Sequence, residues 1–333
     1  QKLLLDLAII RILEPGSKIR SIELLKEYFG IKHNRQTFYK SASKWLELKN
    51  DAEQIVVDFL RRTSKFNFEL LFYDVTTLYF ETFDTDELRK QGFSKDNKSQ
   101  QPQILVALMV TPDGFPVGYE IFTGNTFEGH TILPVIKSFI SKHKIKKFTI
   151  VADAAMISNE NIKNFYAEKI NYIVGARLGN ISKTLFNEIQ SNLIKKDGNT
   201  IRISTEKGFL ICSFSDVRYR KDKYEMEKQI KRAELLKNEP SKIKNVKFLK
   251  TENKEANLNT ELINRTTALL GVKGYYTNLD EKTADNDTII ARYHDLYKIE
   301  QAFRIAKSDL QTRPIFHYKE EPIKLHLLIC FMA

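Results

Sequence analysis

Three acidic residues stand at positions where an acid needs a reason. Asp74 lies inside the run Leu70-Leu71-Phe72-Tyr73-Asp74-Val75-Thr76-Thr77-Leu78-Tyr79-Phe80, whose aromatic and β-branched residues read as a strand. An unpaired carboxylate buried there would cost several kcal/mol, so the position asks for a partner or a cation. Asp153 closes the apolar run Ile150-Val151-Ala152, at the carboxyl end of a short strand, where ligands bind in open α/β sheets. Glu300 lies in a helical run. At about 100° per residue, Tyr293, Glu300 and Lys307 fall within roughly 20° of one another. The apolar stripe Leu296, Ile299, Phe303, Ala306 and Leu310 is centred roughly 80° away, which sets Glu300 at the rim of the buried face. Two strand aspartates and a helix glutamate make a hard, all-oxygen donor set suited to Mg²⁺ or Mn²⁺ and not to zinc. Two such ions can activate a water or a 3′-hydroxyl and stabilise the leaving oxygen of a phosphodiester. Each acid also has a plainer role open to it. Asp74 can cap a strand end, Asp153 can start the next helix, and Glu300 can pair with Arg304 at i,i+4 on a solvated face.

The elements that must position these residues follow from periodicity. Residues 1 to about 65 read as short amphipathic helices, and Asn34 to Lys40 either opens a recognition helix or belongs to an ordinary helical cap. After the Asp74 strand comes a polar loop, roughly 84 to 101. Strands Ile104–Val110 and Phe115–Phe122 then flank Thr111-Pro112-Asp113-Gly114, a turn sequence in which Pro presets φ and Gly accepts positive φ. A helix over Thr131–Lys142, a strand over Phe148–Ala152, a helix capped by Ser158 and a strand over Tyr172–Ala176 complete the order β-β-β-α-β-α-β. This is an α/β fold built on a mixed sheet. From about 181 to 284 the pattern changes to short strands and a charged helix over Arg218–Lys237, read as an insertion. One long helix is expected from about Asp285 to Leu310.

Composition narrows the class. The chain has 333 residues and a net charge of +11, from 53 Lys+Arg against 42 Asp+Glu, which favours polyanionic partners. Only Cys212 and Cys330 are present, and no H-x-x-H occurs, which excludes a disulfide framework and a cysteine-based zinc site and fits a cytoplasmic protein. The apolar run 325–333 is too short to span a bilayer. No Gly-rich phosphate loop supports a metabolic α/β enzyme. The first residue, Gln1, and the apolar last run are expected to be trimmed ends of a longer protein.

The run Tyr293-His294-Asp295-Leu296-Tyr297-Lys298-Ile299-Glu300-Gln301-Ala302-Phe303-Arg304-Ile305-Ala306-Lys307 resembles the signature helix of bacterial insertion-sequence DDE transposases, Y-x2-R-x3-E-x6-K. Phe72 to Thr77, Val151 to Asp153 and Arg313 to His317 resemble the same group. The resemblance implies a ribonuclease-H-like catalytic domain (67–180 and 285–333), a β-rich insertion subdomain (181–284) and a small helical N-terminal domain (1–66) with possible DNA binding. It implies Asp74, Asp153 and Glu300 as catalytic metal ligands for two Mg²⁺ or Mn²⁺ ions, and Tyr293, Lys307 and Arg304 as DNA-contacting residues. The partners implied are double-stranded DNA, as element inverted repeats and target, and a second copy in a homodimeric synaptic complex associated with the nucleoid. A non-enzymatic DNA-binding relic, or a nuclease that cuts without joining, shares these features. Leu296 departs from the motif's Arg. The Trp that holds a flipped base in some relatives has no counterpart in the insertion, where Tyr275 or Tyr276 would have to stack instead; the lone Trp45 is N-terminal.

Overall fold

Strand β1 (Leu70–Tyr79) has a partner on each side: β2 (Gln103–Val110), antiparallel, and β4 (Thr149–Ala152), parallel. Strand β3 (Pro116–Thr123) extends the sheet beyond β2, giving the order β3-β2-β1-β4. All eight positions of β2 are buried, as its continuous apolar run requires. The turn between β2 and β3 has the expected chemistry: Gly114 takes φ +85°, and its N–H donates to the Thr111 carbonyl at 2.8 Å. The computed structural model describes residues 2–66, 68–93, 98, 100–156, 158–237, 246–252 and 255–333. Positions 94–97 and 99 of the expected polar loop, 238–245 and 253–254 of the expected insertion, and Gln1 lie outside the described residues.

The chain divides into two compact units. The first comprises residues 1–172 and 294–333, the second 173–293. In the first, five helices precede the sheet: α1 (Lys2–Leu13), α2 (Lys18–Phe29), α3 (Arg35–Lys40), α4 (Ala42–Leu46) and α5 (Lys49–Thr63). Asn34 caps α3 by accepting from the Gln36 N–H at 2.8 Å, and Phe38 points into the core. The C-terminal helix α13 (Glu320–Met332) packs on α1 and α4, so Leu3, Leu7, Phe38, Trp45, Leu325 and Leu328 share one apolar cluster. The helices α6 (Ile132–His143) and α7 (Asn159–Ala167) flank β4, and Ser158 caps α7 as its sequence position demands. The expected order β-β-β-α-β-α-β is present, closing with β5 (Asn171–Ala176) at the boundary between the units.

In the second unit, β5 pairs with β10 (Val272–Thr277), β10 with β7 (Gly208–Phe214), and β7 with β6 (Thr200–Thr205), all antiparallel. Helix α8 (Lys183–Asn192) lies between β5 and β6 in the chain, and α9 (Asp216–Leu236) is the charged helix. Met226 and Ala233, seven residues apart, are its buried positions and pack with Phe248 and Leu270. The hairpin β8 (Leu249–Glu252) with β9 (Glu255–Leu258), then α10 (Thr260–Ala268) and α11 (Asn286–His294), complete the unit.

The single long helix expected over 285–310 is not formed. Helix α11 stops at His294, α12 runs Tyr297–Arg304, and a π-helical turn follows over Ile305–Asp309. The reason is local. At the break the Lys298 and Ile299 N–H groups donate to the carbonyls three residues back, Asp295 and Leu296, and Leu296 turns into the core. Lys298 and Asp295 face each other across the same turn at 3.8 Å.

Three buried histidines of the first unit are held neutral. Burial, then Lys142, pushes His143 down to about 4. Burial, then Lys18, pushes His317 down to about 4, and the same two causes hold His326 well below its ordinary value. In the unfolded chain these rings titrate near pH 6.5, so from there down to about 4 the unfolded state binds protons that the folded state does not. Stability is therefore full above pH ~6.5 and falls as the pH drops, with a slope of up to ~1.4 kcal/mol per pH unit for each ring. Urea midpoints measured from pH 7.5 to 4.5 are expected to fall, and His317→Phe is expected to remove about one proton from the slope; an unchanged slope would mean that His317 is not buried neutral.

Candidate active site

Strand alternation puts Phe72, Asp74 and Thr76 on one face of β1 and Tyr73, Val75 and Thr77 on the other. Among the interior positions of β1, residues 71–78, Asp74 is the one that is not buried. Tyr73 beside it is locked by donating its hydroxyl to Thr131 Oγ1 at 2.6 Å, which fixes the strand from the opposite face. Two residues along from Asp74, Thr76 Oγ1 accepts from Lys307 Nζ at 2.7 Å. The π-helical turn thereby brings Lys307 over the Asp74 face of the strand.

Asp74 and Glu300 line one cavity of about 330 Å³, together with Thr76, Arg304, Lys307 and Arg313. Two carboxylates thus share a cleft with three cationic side chains. Glu300 is exposed at the edge of α12 while Ile299 and Phe303 on either side of it are buried, as the stripe geometry predicts. The Glu300–Arg304 pair that the i,i+4 spacing allows is not formed among the described residues. The Arg313 guanidinium also lies 5.6 Å from the centroid of the Tyr79 ring. A larger cavity of about 540 Å³ shares Thr76, Phe303 and Lys307 with this one, but its other lining residues are almost all apolar and include no acid.

Asp153 comes to the same edge of the sheet through register. The parallel pairing of β1 with β4 ends at Tyr73 and Ala152, so Asp74 and Asp153 are the residues that directly follow the last paired position. Asp153 itself is exposed, and its Oδ1 accepts from the Ala154 N–H at 2.6 Å, opening the turn Ala154–Met156. It does not line the cavity of Asp74 and Glu300, and among the described residues no three His, Cys, Asp or Glu side chains gather as a metal-binding group. The turn is pinned from behind by buried Asn161, whose Nδ2 donates to the carbonyls of Met156 at 2.9 Å and Gly129 at 2.7 Å.

Other residues singled out by sequence lie elsewhere. Tyr293 belongs to the second unit, where it is buried edge-on to Tyr275 at 4.9 Å with Lys273 Nζ 4.8 Å from its ring centroid. Tyr275 and Tyr276 are themselves buried, so neither offers a ring face for stacking, and Trp45 is a core residue. Leu296, at the motif's arginine position, is buried at the helix break. Sequence reasoning gave no role to Thr76 or Arg313. Arg313 lies beyond the end of the helix, so no periodicity could aim it; Thr76, two residues from Asp74, shares its face by strand alternation, which was the available signal.

Residues 66–333 match the family described as the transposase DDE domain. The chain belongs to the transposase DDE domain family. Among solved structures, a piggyBac transposase synaptic complex with hairpin DNA is 11% identical, with a TM-score of 0.52, covering 99% of this chain and 62% of that one. A Mos1 transposase paired-end complex with the left transposon end is 11% identical over 47% of this chain and 50% of that one, with a TM-score of 0.23. The Drosophila P element transposase strand transfer complex is also 11% identical, over 98% of this chain and 77% of that one, with a TM-score of 0.25. This chain therefore spans less than two thirds of the piggyBac and Mos1 chains. No curated protein sequence matches it. The transposase DDE domain of this chain has the mixed α/β, ribonuclease-H-like fold of transposase catalytic domains. No helix among the described residues is long and apolar enough to cross a membrane.

Asn161 supports the turn that carries Asp153, so Asn161→Ala leaves two buried carbonyls without a donor. A loss of about 2–3 kcal/mol is expected in urea unfolding; a loss under about 0.5 kcal/mol would show that the turn does not depend on it.

Proposed function

We propose that this chain is a DNA transposase that cuts the ends of an insertion element and joins them to target DNA. The observation that carries the reading is that Asp74 and Glu300 line one cavity with Arg304, Lys307 and Arg313, in a chain of the transposase DDE domain family. Carboxylates and cations in one cleft are the two halves of phosphodiester chemistry, one set for metal and one for phosphate.

In this reading Asp74, Asp153 and Glu300 hold divalent metal. The donor set consists of carboxylate oxygens alone, which fits Mg²⁺ or Mn²⁺, and two of the donors already face the same cavity. When bound, two such ions supply Lewis-acid activation of a water or 3′-hydroxyl and charge neutralisation at the leaving oxygen. The chain's own residues do the rest. Lys307, steadied by Thr76, offers a point charge to a phosphate beside the acids, and Arg304 and Arg313 offer planar donors that can engage phosphate oxygens in pairs. Residues 67–180 and 285–333 form the catalytic domain, 181–284 an insertion subdomain, and 1–66 a helical domain available for DNA contact. The partners are the element's inverted repeats, target DNA and a second copy, in a bacterial nucleoid. The net charge of +11 suits such a polyanionic substrate.

Labelled duplexes carrying the inverted repeats that flank the gene test the reading directly. With Mg²⁺ or Mn²⁺ the wild-type protein is expected to nick them and to join a pre-cut 3′-hydroxyl end to a second duplex. Asp74→Ala and Glu300→Ala are each expected to lower nicking about 10³-fold, the loss of several kcal/mol of metal-borne stabilisation. Equal activity of wild type and Asp74→Ala would end the catalytic reading, and nicking without joining would reduce it to a nuclease. Lys307→Ala is expected to weaken duplex binding and to lower the slope of log affinity against log salt by about one; an unchanged slope would mean that Lys307 contacts no phosphate.

A further inference from the structure

The segment that follows the π-helical turn is short and lacks regular structure, yet its backbone is held at consecutive residues by buried basic groups. Gln311 takes φ +45°, a left-handed conformation that is rare outside glycine, and its carbonyl accepts from Arg11 Nη2 of α1 at 2.6 Å. The next carbonyl, of Thr312, accepts from His326 Nε2 of α13 at 2.9 Å. Thr312 in turn donates twice to the Ala306 carbonyl, through its N–H at 2.9 Å and its hydroxyl at 2.6 Å. The residues directly after these anchors, Arg313 after Thr312 and Lys307 after Ala306, are two of the three cations in the cavity of Asp74 and Glu300.

The imidazole that makes the central contact is itself fixed. A carbonyl can only accept, so Nε2 of His326 carries the proton and Nδ1 is the acceptor. Nδ1 faces Lys18 Nζ of α2 at 3.1 Å, a donor that matches this tautomer and no other. Arg11, Lys18, Thr312 and His326 are all buried. The groups around the ring are Arg11 from α1, Lys18 from α2, His317 at 5.9 Å from the connecting segment and Cys330 Sγ at 3.9 Å from its own helix. Burial and the neighbouring cations keep His326 well below its ordinary value and bring Lys18 down to about 7, which agrees with a neutral ring between them.

Such an arrangement exceeds what packing needs. Burying a lysine, an arginine and a histidine is costly compared with apolar residues of the same volume, and here the outlay fixes one short stretch of backbone. We propose that Arg11 and His326 are positioning residues for Arg313 and Lys307, with Lys18 setting the histidine's tautomer. They touch no substrate. They act by holding the carbonyls of 311 and 312, so that two phosphate-facing cations project from a fixed backbone. The proposal rests on the cavity being the DNA-cleavage site, and it gives the three N-terminal and C-terminal helices α1, α2 and α13 a direct part in that site.

The test uses the full chain and a Lys18→Met/His326→Leu double variant, which removes both members of the Lys18–His326 pair and takes the donor from the Thr312 carbonyl, leaving Arg11 on the Gln311 carbonyl. Thermal unfolding, duplex binding in EDTA across a salt series, and metal-dependent nicking are measured on both proteins. The variant is expected to stay folded, to lose about one to two from the salt slope as Lys307 and Arg313 lose their fixed positions, and to nick about 10–100-fold more slowly. A folded variant with the wild-type slope and wild-type nicking rate would overturn the proposal. If the wild type binds duplex but never nicks it, the cleavage reading fails while the slopes still judge positioning. Should the variant not fold, ¹⁵N shifts of His326 in the wild type decide: a neutral ring protonated at Nε2 between pH 5.5 and 8 is expected, and a cationic ring or one protonated at Nδ1 would overturn the proposal.

Discussion

A carboxylate in the middle of a strand that is paired on both sides constrains everything around it. Strand β1 pairs with β2 from Phe72 to Tyr79 and with β4 from Leu70 to Tyr73, and every interior position but Asp74 is buried. A charge placed there must either be neutralised or opened to solvent, since an isolated ion in an apolar interior costs many kcal/mol. The fold opens a cleft over Asp74 and walls it with cationic side chains from the segment that packs across the strand. The helix break at Asp295 and Leu296 and the π-helical turn over Ile305–Asp309 set the phase of that segment, so that Glu300, Arg304 and Lys307 all meet the cleft.

The helix break falls inside the motif. A continuous helix would have tied Tyr293, Glu300 and Lys307 to one rigid stripe. Instead Tyr293 is buried against Tyr275 and Lys273 in the second unit, while Glu300 and Lys307 stay in the first. Leu296 makes sense at the break: a buried residue there anchors the turn, where a long charged side chain would be hard to bury without a partner.

The N-terminal helices contribute more than a cap. Leu3, Leu7 and Trp45 share a core with Leu325 and Leu328, Arg11 reaches the segment that carries Arg313, and Lys18 reaches His326 on α13. Stability and geometry of the cleft are thus coupled through α13, which touches both the apolar cluster and, by way of His326, the backbone next to the cavity.

Much of this was legible in the residues themselves. Hydrophobic periodicity located the strands around Asp74 and Asp153 and the helix caps at Ser158, and the turn at Pro112-Asp113-Gly114 followed from φ preferences, because these are local effects. The apolar neighbours of Asp74 marked it as an acid needing a partner. Helical spacing put Glu300 at a rim. What the sequence alone could not supply was phase and register. A break that shifts the stripe depends on where Leu296 finds a core to enter, and the placement of Asp74 and Asp153 directly after the last paired residues depends on which residues β1 and β4 pair. The burial of Tyr275 and Tyr276, and the anchoring of residues 311 and 312 by Arg11 and His326, depend on tertiary contacts, 300 positions apart in the case of Arg11 and Gln311. Such contacts are set by three-dimensional packing, which no local pattern encodes.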